Sequence, residues 1–387
     1  MLSEQKQLFG KIQTVENVAE TLAAADGRTR VFDPKIKFDP VRLEPAPSPY
    51  SLSRRAKRTA SVVGTSTFGI DLAGSGVLGT APQWVKYLRC CGVKESDLHA
   101  LTIGAITGGP FQHGETITGG TSNATGRVVI KTTTGTTTLL FVVLTGTFQS
   151  GEVITGSLSA ATATTGSVPA DAGLEYRLTS IEADQPMITL GVPQNINATT
   201  AFRKLIQGAR GNVAFDFKAG QPCRMNFTFQ GIKDAVADVS VISGISWEAV
   251  KAPVFASANL LLGGYAAKIG ELSLDLNNKL SKDEDANGVG GINCFSIGGR
   301  TPGGSMNPRM VPVATADFYN DWFSDIEKDL DFTIGSVAGN RFRFYMPNLQ
   351  HDSIEDGDRD GVLLASISFT LNEALETGND ELTILAQ

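Results

Sequence analysis

From Thr65 to Gly92 the chain reads TSTFGIDLAGSGVLGTAPQWVKYLRCCG, and the spacing of its apolar positions changes within this one stretch. Phe68, Ile70 and Leu72 alternate with Thr67, Gly69 and Asp71, which predicts a strand with one buried and one wet face. Gly74 and Gly76 then interrupt the pattern. Beyond them Thr80 stands at an N-cap position with Gln83 three residues on, Pro82 falls in the first turn, and Trp84, Leu88 and Cys91 recur at helical spacing. The reading is a strand, a glycine turn and a short helix closed by Gly92 in the left-handed conformation, plugging one face of a sheet.

The two-residue period continues through LEYRLTSI from Leu174, MITLGV from Met187, NVAFDF from Asn212, and Met225 to Phe229, where Phe227 and Phe229 share a face with Met225. Phe202 to Gln207 is too short for its period to decide, and reads as strand because the GARG turn leads on into NVAFDF. The second half echoes the first. Leu272-Ser-Leu-Asp-Leu276 resembles Phe68-Gly-Ile-Asp-Leu72, and Ile367-Ser-Phe369-Thr-Leu371 resembles Met225-Asn-Phe227-Thr-Phe229. A second helix is expected over Ala316 to Leu330, with Phe318, Trp322, Ile326 and Leu330 on one side and Thr315 as N-cap. Against strict equivalence, GNVAFDF and GNRFRFY carry their phenylalanines one position out of phase, which would exchange faces. The Gly- and Asn-rich stretch from Asn277 to Val313 reads as a long loop.

Residues 101 to 168 differ in kind. Thr, Gly, Ser and Ala dominate, and Glu115, Arg127, Lys131 and Glu152 are the only charges. Phe111-Gln-His-Gly-Glu-Thr-Ile-Thr-Gly119 recurs 37 residues later as Phe148-Gln-Ser-Gly-Glu-Val-Ile-Thr-Gly156, with the strand candidate Thr136 to Leu144 between them. Two similar hairpin units imply a small all-β insert that projects as a lobe, leaving the main core uninterrupted. The fold class is therefore mainly β: two tandem β-sandwich modules, each with a short helix, plus the insert. The boundaries are an N-terminal arm at 1–50, a first module at 51–100 and 169–253, the insert at 101–168, and a second module at 254–387. Within the arm, Val15 to Ala25 reads as a short helix, and Pro34, Pro40, Pro45, Pro47 and Pro49 impose an extended backbone that drapes over other structure.

Composition narrows the function. The apolar fraction is 41%, with no run of the roughly 20 residues a membrane helix needs. MLSEQKQLFG has no apolar stretch after its charges, so no signal peptide is expected. Four cysteines, two of them adjacent at Cys90 and Cys91, match neither a disulfide framework nor a zinc pattern. From residue 271 to the end there are 20 acidic and 8 basic residues, net −12; with −7 overall, residues 1–270 carry +5. Such asymmetry suits association of the acidic part of one copy with the basic part of the next, or simply gives two solvated faces. Arg54, Arg55, Lys57 and Arg58 lack interleaved aromatics and fit a strand edge or subunit salt bridge better than a nucleic-acid site.

Three chemical motifs fail on their context. Gly74-x-Gly76-x-x-Gly79, with Glu95 and Asp97 beyond, matches a dinucleotide-binding turn, but its strand alternates and no second parallel strand follows. Asp283, Asp285 and Asn287, and Asp356, Asp358 and Asp360, start like calcium loops, yet the twelfth positions are Cys294 and Ile367. His99, His113 and His351 sit in no metalloprotease motif, and no nucleophile elbow or Walker lysine accompanies them. No catalytic, cofactor-binding or metal residue is expected.

Leu72, Gly74 to Gly76, Ala81, Pro82, Trp84, Cys91 and Gly92 together resemble the L-x-G-S-G turn, proline, tryptophan and Cys-Gly helix end of the tail tube (major tail) proteins of long-tailed, siphophage-type bacteriophages. Gly208 to Gly231, ending in Phe227-Thr-Phe229-Gln-Gly231, resembles that family's hairpin, and Asp356 to Leu371, with Phe369, its closing strand. The resemblance takes in Val15 to Gly27 and Phe32 to Arg55 and leaves out residues 101–168; Trp322 marks the second helix. It implies tail-tube-type modules in a non-enzymatic structural virion protein, made in the host cytoplasm. Such proteins associate with themselves into stacked rings, with arm and loops reaching neighbours, and meet terminator, tape measure and distal tail proteins. DNA passes through the lumen without specific binding, and no membrane is involved. Two modules per chain imply a trimer with pseudo-sixfold symmetry; a hexamer with the second module turned outward is the alternative. Carboxylates of the second half are expected in the bore. Rival readings are a surface adhesion or glycan-binding protein using the insert, and a dinucleotide-binding oxidoreductase.

Overall fold

Alternation carries most of the chain into strands. In the computed structural model, which describes residues 6–44, 56–133 and 135–387, Met225, Phe227 and Phe229 are buried while Asn226 and Thr228 between them are exposed. The first strands are β1 (Phe9–Ile12), β2 (Phe32–Leu43), β3 (Arg58–Asp71) and β4 (Val93–Thr102), with helix α1 (Val85–Arg89) between the last two. Residues 101–168 contribute β5 (Thr116–Gly119), β6 (Thr125–Val128), β7 (Thr138–Thr145), β8 (Val153–Gly156) and β9 (Thr162–Thr164). There follow β10 (Ala170–Leu178), β11 (Ile188–Asn195), β12 (Thr200–Lys218) and β13 (Arg224–Ser240). The second half supplies β14 (Leu261–Leu262), β15 (Ile269–Asp275), β16 (Lys279–Glu284), β17 (Ile292–Gly299) and β18 (Gly303–Pro308). After helix α2 (Phe318–Phe323) come β19 (Lys328–Ile334), β20 (Phe342–Arg359), β21 (Val362–Asn372) and β22 (Thr383–Ala386).

Eight of these strands form one antiparallel sheet in the order β2-β3-β13-β12-β15-β18-β21-β20. Its halves share one connectivity. In β2-β3-β13-β12 and in β15-β18-β21-β20 the chain visits the positions in the order first, second, fourth, third, and a helix lies between the second and third strands visited. A second sheet runs β14-β19-β20-β22-β10-β4-β7 and continues into β6, β5, β8 and β9. β20 belongs to both, because its first residues pair with β19 and β22 and its remainder with β21, the register shifting between His351 and Ser353. A bulge of this kind bends a strand. Between the sheets lies one apolar core, in which Phe68 stacks on Phe227 and Phe229 under Tyr87, and Phe217 packs against Phe332 and Phe344. Each such aromatic pair contributes about 0.5–1.5 kcal/mol beyond the area it buries.

Several local expectations are corrected. Val15 to Ala25 forms no α-helix, only a 3-10 turn at Ala24–Gly27. β2 is a paired strand despite Pro34 and Pro40, which an edge strand tolerates because the missing N–H can face outward. Around α1 the capping box is absent: Trp84 occupies the N-cap without a side-chain bond, and the Gln83 amide donates to Glu248 instead. α2 ends at Phe323, with Asp317, not Thr315, accepting from the Asn320 amide as N-cap. Beyond Asp325, which adopts a positive φ, Leu330, Phe332 and Ile334 alternate inward as strand, so the helical spacing to Leu330 was coincidental. Leu272 to Leu276 also departs from its expected equivalence with Phe68 to Leu72. The place beside β21 that β3 holds beside β13 belongs to β18, and β15 corresponds to β2. The phase conflict between GNVAFDF and GNRFRFY disappears for a similar reason, since Ile354 faces Ile367 as Phe215 faces Met225. Asn277 to Val313 is a hairpin, β16–β17, followed by β18, and Ile292 and Phe295 pack on Ile232 of the first half.

Candidate assembly edges and the polar sheet face

Opposite the core, the eight-stranded sheet presents short polar side chains. One row crosses seven strands through directly paired residues: Asp71, Arg224, Asp216, Ser273, Ser305, Ser368 and Ser353. Arg224 donates to Asp71 at 3.2 Å and lies 4.0 Å over the Phe32 ring; Asn226 donates to Asp216 at 2.6 Å. Ser273 and Ser305 are 2.9 Å apart, Ser353 and Ser368 2.6 Å. Asn212 bonds Asp275, Lys218 pairs with Glu271, and Thr370 donates to Asp352. By register the charges of this face include Asp39, Asp71, Asp216, Glu271, Asp275, Asp352 and Glu355 against Lys35, Lys37, Lys218, Arg224 and Arg359, a small acidic excess drawn from both halves. Most are tied to neighbours within the sheet, so the face is wettable and offers few free donors to an anion.

The sheet ends on β2 at one side and on the second half of β20 at the other. Among the described residues, neither strand has a ladder partner on its outer side. The edges differ in charge. Asp352 to Asp360 contains Asp352, Glu355, Asp356, Asp358 and Asp360 against Arg359, whereas β2 carries Lys35, Lys37 and Arg42 against Asp33 and Asp39. Inside the chain, an equivalent pair of edges is joined: Ala214–Lys218 of β12 pairs with Glu271–Asp275 of β15. The end of α1 seals this joint, with the Gly211 amide donating to Cys90 and the Asn278 side chain to the carbonyls of Cys91 and Gly211.

The sequence motif residues gather near these features. Leu72 and Trp84 are buried, and the Trp84 indole donates to the Ala73 carbonyl at 2.7 Å. Gly74 and Gly76 form a turn against the second half. Their amides donate to Asn340 at 2.7 Å and Gly339 at 3.0 Å, and a Cβ on Gly74 would run into the Gly339 carbonyl. Pro82 and Cys91 are buried with α1, and Gly92 has φ +80. Phe227, Phe229 and Phe369 face the core, Gly231 lies against Ala209 at the irregularity of the β12–β13 ladder, and Trp322 is half-buried on α2. Arg54 and Arg55 lie outside the described residues. The neighbours of β3 are both antiparallel, which no dinucleotide-binding turn has. Among the described residues no three His, Cys, Asp or Glu side chains converge as a metal set, and no helix is long and apolar enough to cross a membrane.

Residues 113–371 match the sequence model of the family described as phage tail tube protein. The chain belongs to the phage tail tube protein family. It is thus a structural, non-enzymatic component of a virion tail. No curated protein sequence matches it. The matched span takes in most of residues 101–168, which the sequence resemblance had left out, and omits the turn from Leu72 to Gly92 that helped carry it.

In this tail tube protein the insert has an apolar core of its own, built around Leu101, Phe111, Ile117, Phe141, Phe148 and Ile154, and it joins the rest through two contacts. β7 pairs with β4, extending the second sheet, and Val129, Ile130 and Val142 pack with Tyr345 and Leu385. The two repeats meet about a local twofold, Ile117 opposite Gly156 and Gly119 opposite Ile154. Each repeat's glutamate crosses into the other. Glu115 accepts from the Leu158 and Ser159 amides at 3.1 and 3.0 Å, while Glu152 accepts from those of Thr121 and Ser122 at 3.2 and 3.0 Å. For Glu152 burial works against ionisation, but the donors from Ser122 and Gln149 outweigh it and hold its carboxyl below the usual range. Sequence reading found the repeat and missed the exchange, although a glutamate at the same place in both copies of an otherwise sparsely charged segment was the available signal. The histidines serve packing: His113 bonds the Val129 carbonyl and lies against Tyr345, and burial lowers the pKa of both His113 and His351.

Proposed function

We propose that copies of this chain close into a ring, β20 of one pairing with β2 of the next, and that the polar sheet face lines a bore through which DNA passes as the rings stack into a tail tube. The internal β12–β15 joint carries this reading, because it already unites two units of the same strand order by the contact that the outer edges lack. Closing the circle removes the unpaired edges that would otherwise aggregate. Each chain is read as two four-stranded modules flanked by the arm and interrupted by the insert. The motif residues Leu72, Gly74, Gly76, Trp84 and Gly92 would fix the first module's helix and turn. Three chains would close about 24 strands, wider than the porin barrels that leave an aqueous channel. A trimer is favoured over a hexamer with outward second modules, since one polar row runs unbroken across β12 and β15.

Duplex DNA carries roughly one charge per 1.7 Å, so a basic wall would hold it, whereas small hydroxyls and a slight excess of carboxylates let it slide. Tube ends would meet the terminator, tape measure and distal tail proteins. Reversing Lys35→Glu with Lys37→Glu is expected to abolish tubes in negative-stain images, and adding Asp352→Lys with Glu355→Lys to restore them. Tubes of normal length from the first variant would remove the assigned edges, and a wild-type protein that stays monomeric at high concentration would remove the ring.

A further inference from the structure

The outer side of β20 meets a helix before it meets solvent. The Trp322 indole donates to the Asp352 carbonyl at 3.0 Å, and the Tyr319 hydroxyl to Asp356 at 3.0 Å, which places α2 along the open edge. Phe323 stacks on Trp322 at 5.1 Å and lies 6.0 Å from Tyr319, yet is 72% exposed. A bare ring packed against two half-buried aromatics beside an unpaired strand marks an interaction surface. In the first half the corresponding helix end is covered by the chain just beyond the joint: Asn278 bonds Cys91, and Ile297 of the β16–β17 hairpin approaches Gly92. Since β15 corresponds to β2, the segment that would come next at the outer edge is the distal half of β2, Phe38 to Leu43. There Val41 and Leu43 are 48% and 57% exposed.

We infer that Tyr319, Trp322 and Phe323 form the seat for the distal half of β2 from a second copy, with Val41 and Leu43 entering against the bare Phe323 ring. The assignment rests on the ring reading. It adds an apolar anchor to the backbone ladder, in continuity with the internal joint and beside the acidic-to-basic match of the two edges. Such an anchor explains why a helix of six residues keeps a large ring in water in the isolated chain.

The test compares assembly of the full-length wild type with Phe323→Ser and with Val337→Ser, an equally bare apolar residue at another place. Light scattering should give a critical concentration raised about tenfold or more for Phe323→Ser, as expected when an interface loses one buried aromatic, and unchanged for Val337→Ser. A Phe323→Cys, Leu43→Cys double variant should form covalent trimers on oxidation, because the four native cysteines are buried. Normal assembly of Phe323→Ser together with no cross-linking overturns the seat while wild-type tubes keep the ring reading intact. Wild-type protein that never assembles overturns both.

Discussion

The helices α1 and α2 stand at matching points of two similar strand circuits and meet opposite surroundings. Trp84 of the first is 1% exposed, roofed by Tyr176 and Phe342, and its neighbour Tyr87 lies under β1 so closely that Gly10 has no room for a side chain. Phe323 of the second is bare. The first half thus completes itself from its own chain, using the N-terminal strand on one side and the β16–β17 hairpin on the other. Beside the first part of β20, β19 and β14 repeat the way β11 and β1 run beside β12, so what differs among the described residues is the helix end: the β16–β17 hairpin approaches Gly92 after α1, whereas Phe323 at the end of α2 stays exposed.

This contrast is sharpest in stability. Trp84→Ala empties a closed site and should cost about 3–5 kcal/mol, whereas Trp322→Ala, half in solvent, should cost about 1 kcal/mol; chemical denaturation monitored by circular dichroism compares them. Equal losses would mean that α2 is as integral to the monomer as α1. Next in size is Gly74→Ala, which drives a methyl group into the Gly339 backbone and should cost about 2 kcal/mol. Gly79→Ala, at the far end of the same glycine turn, meets only the Asp171 side chain, although its positive φ adds strain.

How much of this was legible depended on whether the signal was local. Phe68, Phe227 and Phe229 alternate with polar residues, and the strands and their buried faces could be read directly from that period. Where a helix ends was not legible, because Ile326 and Leu330 continue the spacing of Phe318 and Trp322 by chance while the left-handed Asp325 has already broken the helix. Pairing partners were hidden for a different reason. Leu272 to Leu276 looks like Phe68 to Leu72, but which strand flanks β21 is decided by the short Gly303–Pro308 segment, whose two glycines and proline carry no strand signature. The polar face was written in the sequence as scattered serines and threonines, and only the register aligns Ser273, Ser305, Ser368 and Ser353 in one row.

The insert offers a comparison within itself. Glu115 and Glu152 make matching bonds across the local twofold, so Glu115→Gln and Glu152→Gln should destabilise it by similar amounts, about 1–2 kcal/mol each from lost charge-assisted bonds. Hydrogen exchange at the Ser122 and Ser159 amides would report which turn opens. If each substitution loosened its own repeat and left the other untouched, the exchange of glutamates would not be what ties the repeats together.

The smallest effect concerns the cover over α1. Lys86 donates to the Asp26 carbonyl at 2.8 Å beneath the N-terminal segment, and burial pushes its ammonium down to about 8. In the unfolded chain a lysine titrates near 10.4. Between these values the unfolded state holds the proton and the folded state does not, so this group's contribution to stability rises with pH from about 8 towards 10.4. Burial raises the thiols of Cys90, Cys91 and Cys223, which pulls stability the other way over the same range in any variant. The informative quantity is therefore the difference between wild type and Lys86→Met. It should move in favour of the wild type as pH increases from 8 to 10, and a difference that stays flat would mean that the segment over α1 leaves Lys86 in contact with water, making the first helix less enclosed than its packing implies.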